Sequence, residues 1–234
     1  MSYTELNLDL TEEHRLLKNE VHKFAVEVLR PASIELDRMS PEDVIKKGSP
    51  YWECMAQAYR NNYHTVLISD EYGGLGLDPL GVHIFWEELA YGSVGFAVSL
   101  GCSCFSSFYA TLLCNDYLID KFVTPFVNCR DASVMSCWAI TEPTHGSDNL
   151  MAGTPLFRDP CAFQEVRAVK KRGKWVLNGQ KSAWVSNGPI ASDAALFVNI
   201  DPKMGFAGGG IALVELNQPG VSRGKPLNKM GQRE

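Results

Sequence analysis

Two segments of the chain carry residues whose types and spacing suit ligand chemistry. The first is Trp138-Ala139-Ile140-Thr141-Glu142-Pro143-Thr144-His145-Gly146-Ser147-Asp148. It reads as a strand running into a turn rich in Thr, Gly, Ser and Asp. Such a loop presents hydroxyls and backbone N–H groups, the equipment for holding a polar ring edge or a phosphate. The same composition also serves an Asx or Ser turn that merely ends a strand. The second segment is Asn178-Gly179-Gln180-Lys181-Ser182-Ala183-Trp184-Val185-Ser186-Asn187-Gly188. On a strand, Trp184 and Ser186 share a face. An indole beside a hydroxyl suits a flat heteroaromatic ligand, one covering a ring face and the other bonding a ring nitrogen. A core Trp with a surface Ser is the alternative that these residues leave open. His145 reads as a solvated loop residue within reach of a phosphate. Lys170-Lys171-Arg172 with Lys174 reads as a solvated basic turn.

The elements that must position these segments change character along the chain. The first half has helical periodicity. Thr11 can cap a helix with Glu12 and Glu13 in its first turn, and Leu16, Leu17, Val21, Phe24, Ala25, Val28 and Leu29 recur at helical spacing until Pro31 stops it. Ser40-Pro41-Glu42-Asp43, Ser49-Pro50 and Asp78-Pro79 are further helix starts. Tyr72-Gly73-Gly74-Leu75-Gly76 is a loop, and it follows no strand of a βαβ unit that would make it a phosphate fingerprint. A buried helix is expected over 94–114 and an amphipathic one over 116–127.

The second half reads as strands over 133–140, 166–169, 175–177, 180–186, 194–200 and 211–216. Lys171-Arg172-Gly173-Lys174 and Asn178-Gly179 are hairpin signals, and Gly208-Gly209-Gly210 and Gln218-Pro219-Gly220 are turns. Helices followed by strands imply an α+β fold. The expectation is an all-helical domain over 1–130 and an incomplete antiparallel β-barrel-like domain over 131–234.

Composition bounds the partners. The 234 residues hold 27 acidic and 22 basic side chains, a formal charge of −5. That weighs against nucleic acid or an anionic membrane surface as the main partner. The seven cysteines show no C-x-x-C pair and no zinc spacing, and they read as reduced thiols of a cytoplasmic protein, with no metal site expected. The first twenty residues carry Glu5, Asp9, Glu12 and Glu13 without an apolar run, unlike a signal peptide. Residues 89–115 lack charge, but Gly92, Gly95, Gly101, Ser93, Ser99, Ser103, Ser106 and Ser107 suit a tightly packed helix, so no membrane span is expected.

Together the motifs resemble those of the acyl-CoA dehydrogenase family. Thr141-Glu142-Pro143-Thr144-His145-Gly146-Ser147-Asp148 is similar to its T-E-P-x-x-G-S-D run. Leu177-Asn178-Gly179-Gln180-Lys181 and Trp184-Val185-Ser186-Asn187-Gly188 are similar to its N-G-x-K and W-[IV]-[TS]-N-G elements. Tyr72-Gly73-Gly74-Leu75-Gly76-Leu77-Asp78 with Glu87-Glu88-Leu89-Ala90 resembles a loop and helix of its N-terminal domain, and Lys229-Met230-Gly231-Gln232-Arg233 its K-M-G-x-R run. The resemblance implies FAD as cofactor. It implies that Trp138, Ile140 and Thr141 lie along the flavin ring and its pyrimidine edge. Gly146 and Ser147 would approach the flavin pyrophosphate and the pantetheine arm of an acyl-CoA, so that Ser147 would touch substrate as well. Trp184 and Ser186 would shield the flavin and bond its N5 region. Two residues, Ser182 and Ala183, separate Lys181 from Trp184 where many relatives have one, an excess a bulge could absorb.

The implied reaction is α,β-dehydrogenation of an acyl-CoA thioester to trans-2-enoyl-CoA, with an electron-transfer flavoprotein as acceptor and a homo-oligomeric full-length protein. No residue matches the family's catalytic glutamate, which belongs to a third, helical domain, and Glu142 is expected to be structural. The chain is therefore expected to supply the flavin bed and to be inactive alone, whether as a fragment, as half of a split enzyme or as a truncated protein. A non-catalytic scaffold of the same fold and an acyl-CoA oxidase are the other readings.

Overall fold

The computed structural model describes residues 9–232; Arg233 of the last motif and Glu5 of the N-terminal segment lie outside them. The chain forms two compact units, Met1–Gly101 with Cys129–Ala132 and Asn228–Glu234, and Cys102–Asn128 with Ser133–Leu227.

The first unit is helical. Helix α1 (Glu12–Phe24) starts as its sequence dictates, with the Thr11 hydroxyl accepting from the His14 N–H at 3.2 Å. Pro31 does not stop it. A five-residue π-helical turn, Ala25–Leu29, intervenes, and α2 (Arg30–Leu36) resumes with Pro31 in its first turn. The wide turn, closed by Arg30 N–H donating to the Ala25 carbonyl, lets the helix restart where a missing proline donor costs nothing. Helices α3 (Pro41–Val44), α4 (Pro50–Arg60) and α5 (Pro79–Gly92) begin at the expected serine and aspartate positions. Ser40 accepts from Asp43 N–H at 3.2 Å, and Asp78 from Gly81 N–H at 2.6 Å.

Helix α1 packs along α5, burying Val21 and Phe24 with Phe85 and Leu89. The buried Glu88 carboxylate lies 2.6 Å from His22 Nδ1 and 3.7 Å from Lys18 Nζ, so it does not enter the core uncompensated. The helix expected over 94–114 is two helices, α6 (Val94–Ser103) and α7 (Phe105–Leu112). The break is Cys104, whose carbonyl accepts from Phe108 N–H at 2.8 Å to start the second helix. Ser99 in α6 meets the Tyr51 hydroxyl at 2.8 Å, and the Phe96 ring stacks on Tyr51 at 5.7 Å. No single described helix is long and apolar enough to cross a membrane.

In the second unit α7, α8 (Asp116–Leu118), a π turn (Ile119–Val123) and α9 (Thr124–Val127) accompany a five-stranded sheet. Its strands are β1 (Ser136–Ala139), β2 (Arg167–Lys171), β3 (Lys174–Asn178), β4 (Asp193–Asn199) and β5 (Gly209–Glu215). Strand β4 is central. Its whole length pairs antiparallel with β5, so β1 and β2 share its other edge, β1 parallel over Asp193 to Leu196 and β2 parallel at Asn199. The all-helical region is thus followed by an incomplete β domain not closed into a barrel. The sheet is mixed rather than uniformly antiparallel, because long connections, unlike hairpins, permit parallel neighbours.

Residues 180–186 form no strand. Arg172 and Gly173, at φ +50° and +79°, make the turn that joins β2 to β3. Asn178-Gly179 makes no hairpin. Gly179 has φ +143°, and a Cβ there would lie 2.7 Å from Val166 Cα, so this glycine serves a close approach of two backbones.

A similar approach exists at Gly92, where a Cβ would stand 2.4 Å from the Ala25 carbonyl oxygen in the π turn. Alanine gains about 1 kcal/mol over glycine inside a helix, but overpacking against a backbone atom costs about 1–3 kcal/mol or more. Gly92→Ala is therefore expected to lower the urea unfolding midpoint despite its better propensity; an unchanged or higher midpoint would show that the π turn yields freely.

Candidate functional site

The two motif segments meet. Strand β1 ends at Ala139, and the chain turns through Ile140 and Thr141 into a loop closed by Glu142 N–H donating to the His145 carbonyl at 2.7 Å. The Thr141 carbonyl accepts from Ser182 N–H at 3.1 Å. Farther along, the Asn187 side-chain amide donates to the Ser136 carbonyl on β1 at 3.2 Å. The segment that carries Trp184 and Ser186 is thus fastened to the first at both ends.

The fastening rests on a buried ion pair. Lys181 Nζ donates to Glu142 Oε1 at 2.8 Å and to the Ile140 carbonyl at 3.0 Å. Glu142 also accepts from Val166 N–H at 3.0 Å through Oε1 and from Glu165 N–H at 2.6 Å through Oε2. Burial pulls the Lys181 ammonium below the usual lysine range, and the Glu142 carboxylate opposes that shift. Glu142 is structural, as the sequence led one to expect. Lys181 proves to be the anchor of the second segment.

Between these ties the chain coils instead of extending. Ala183 and Trp184 occupy the left-handed region, at φ +45° and +49°. The expected bulge is absent, since residues 180–186 form no strand. The strand-based reason for placing Trp184 and Ser186 on one face therefore does not hold. Trp184 is 65 % exposed. The Ser186 hydroxyl bonds the Cys102 thiol, whose pKa burial pushes up to about 11 against that bond.

The other expected residues fall as follows. Trp138 is half-buried, stacked on Phe105 at 4.9 Å and edge-on to Phe197 at 6.1 Å. Ile140 is buried and Thr141 half-buried. Ser147 is exposed at the start of a short 3₁₀ turn, Ser147–Leu150. A Cβ on Gly146 would find nothing nearer than Thr141 Cγ2 at 3.9 Å, so the protein's own packing leaves the space before it open. His145 is not a simple solvated residue. Its Nδ1 lies 2.7 Å from Asp148 Oδ2, and its ring stands edge-on to Phe206 at 5.3 Å. Burial raises the Asp148 pKa, but hydrogen bonds from His145 and Gly146 N–H outweigh it and hold the carboxyl below its usual range.

Sequence reasoning missed Cys102 and underweighted Lys181. The first hides among small apolar neighbours, and the second lies 39 positions from its partner, where no periodicity links them. Removing one member of a buried pair strands the other, at a cost of about 3–5 kcal/mol. Glu142→Gln and Lys181→Met are each expected to destabilise the protein on that scale in urea unfolding, and the double variant by clearly less than the sum. Additive losses would mean that the two side chains do not act as a pair.

Comparison with known proteins bears on both domains. Residues 11–127 match the N-terminal domain of acyl-CoA dehydrogenases and residues 137–234 their middle domain. The chain is 30 % identical over 225 residues to the cyclohex-1-ene-1-carbonyl-CoA dehydrogenase of Syntrophus aciditrophicus, covering 96 % of this chain and 49 % of that one. It is 28 % identical over 242 residues to the mitochondrial isovaleryl-CoA dehydrogenase of Oryza sativa, covering 99 % and 51 %. A solved glutaryl-coenzyme A dehydrogenase with glutaryl-CoA superposes with a TM-score of 0.76 at 26 % identity, over 97 % of this chain and 53 % of that one. The chain spans about half the length of the curated relatives it matches. The cytoplasmic expectation is corrected by these relatives, since the Oryza enzyme and those of Arabidopsis thaliana and Rattus norvegicus are mitochondrial. Cysteines that read as reduced thiols do not single out the cytoplasm. With both domains matched in order across nearly all of its length, the chain belongs to the acyl-CoA dehydrogenase family.

Proposed function

We propose that this chain forms the flavin bed of an FAD-dependent enzyme that desaturates an acyl-CoA thioester to the trans-2-enoyl-CoA, with an electron-transfer flavoprotein as acceptor. The observation that carries this reading is the double fastening of the Trp184–Ser186 turn, to the Ile140–Glu142 stretch through Lys181 and Ser182 and to β1 through Asn187. The residues fit the cofactor. The Trp184 indole is exposed on a left-handed backbone, a conformation that persists where its surroundings over-determine it and that clusters at ligand sites. The same turn carries a hydroxyl at Ser186, and the loop after β1 leaves open space before Gly146.

In this reading the Trp184 indole covers the ring system and excludes water from it, and the Ser186 hydroxyl donates to the ring nitrogen. Ile140 and Thr141 supply backbone groups to the pyrimidine edge. Trp138, held by Phe105 and Phe197, forms the wall behind them. Gly146 permits close approach of the pyrophosphate, and Ser147 bonds the pantetheine arm. FAD, when bound, supplies the hydride acceptor for the substrate's β carbon. The α-proton is not assigned to Glu142, whose oxygens are committed to Lys181, Val166 and Glu165.

The purified chain is expected to take up FAD and show its yellow absorbance. Trp184→Ala should weaken FAD binding about fivefold, since a ring contact is worth on the order of 1 kcal/mol, while moving stability by less than about 1 kcal/mol at this exposed position. FAD titration followed by flavin fluorescence reads the first, and thermal unfolding the second. A folded wild-type chain that takes up no FAD would overturn the proposal.

A further inference from the structure

We infer that Cys102 positions the Ser186 hydroxyl: its thiol donates to the serine oxygen, and the serine proton is thereby aimed outward at the ring nitrogen of a bound flavin. The inference rests on the flavin reading above. It extends that reading to a residue far from Ser186 in sequence and outside both motif segments.

Both members of this contact are held by their own surroundings. Cys102 is buried near the end of α6, just before the break at Cys104. Beyond the break Phe105 stacks on Trp138 at 4.9 Å. One short stretch of chain therefore reaches two residues of the flavin bed. Ser186 is fixed by its neighbours: Gly188 N–H donates to the Val185 carbonyl at 3.0 Å, and the Asn187 amide to the Ser136 carbonyl at 3.2 Å. Neither the thiol nor the hydroxyl has a further hydrogen-bond partner among the described residues.

Chemistry sets the direction of the proton chain. Burial pushes the Cys102 pKa up to about 11, so the sulfur keeps its hydrogen. A serine hydroxyl has one proton to donate and two lone pairs to accept with. Turned toward the sulfur, that proton would be spent inside the protein. With the thiol donating, it is free for the outer side of Ser186, which is only half-buried while Cys102 is buried. Hydrogen bonds in such a chain polarise one another, so the outer donation gains strength. By contrast, the thiols of Cys54, Cys114 and Cys129 face carbonyl or carboxylate oxygens, which have no proton to pass on. A buried cysteine packs well as a small hydrophobe. Packing alone accounts for its burial but not for its contact with the hydroxyl of the Trp184–Ser186 turn.

The test is FAD titration of the full chain, reading affinity, the absorbance spectrum of the bound flavin and its midpoint potential. Ser186→Ala removes the outer donor and should weaken FAD about fivefold while shifting spectrum and potential. Cys102→Ala should shift both in the same direction. It should weaken FAD by about threefold at most, because the freed hydroxyl spreads over its staggered positions. Cys102→Val, which fills the space without a donor, should match alanine, and Cys102→Ser should restore the wild-type values. Adding Cys102→Ala to Ser186→Ala should change nothing further, since the thiol acts through the hydroxyl. Circular dichroism checks that each variant folds. A folded wild-type chain that takes up no FAD overturns the flavin reading and this inference with it. FAD uptake with silent Cys102→Ala and Cys102→Val variants, or with shifts that add to those of Ser186→Ala, overturns the role of Cys102 and leaves the flavin reading standing.

Discussion

The buried carboxylate of Glu142 is the constraint on which the site depends. One side chain gathers the Lys181 ammonium and the N–H groups of Glu165 and Val166. It thereby joins the loop after β1, the entry to β2 and the exit from β3. A charged group with this little solvent is tolerated only when its partners are fixed. The converse also holds: three separate pieces of chain are fixed because the charge must be matched. Gly179 belongs to the same device, since only a residue without Cβ lets the chain pass Val166 closely enough to bring Lys181 to the carboxylate.

What could be read in the sequence was what is local. The caps at Thr11, Ser40 and Asp78 act over three residues, and all three are made. The Arg172-Gly173 turn is equally local. The misreadings share a cause. Pro31 reads as a stop because a regular helix cannot carry it, yet a π turn just upstream changes which donor is missing. Residues 180–186 have the composition of a strand, but Lys181 is drawn inward by a partner 39 positions away, and that pull outweighs propensity. The parallel neighbours of β4 are equally distant in sequence, and so they are equally invisible to it.

The same reasoning separates the parts of the candidate site. Ile140, Thr141, Gly146 and Ser147 lie on one stretch of chain, so a single motif resemblance proposes them together. Trp184 and Ser186 could be joined to that loop from the sequence only through resemblance. In the fold, Ser182 and Lys181 join them to that loop physically, and Asn187 ties the far end of the turn to β1. Trp138 combines both behaviours: its strand position is local, but its ring orientation is set by Phe105 and Phe197 from elsewhere in the unit.

The left-handed pair Ala183–Trp184 shows why the ion pair and the exposed indole belong to one arrangement. A non-glycine residue in that region costs on the order of 1–2 kcal/mol, and two adjacent ones would relax if the flanking chain were loose. They persist because Lys181 and Ser182 are held on one side and Asn187 on the other. A buried pair removed from solvent can sustain that strain in a way that a surface contact cannot, because breaking it would leave a charge stranded. The energy that holds Trp184 outward therefore comes from Glu142, a residue that determines from the interior where the exposed indole stands.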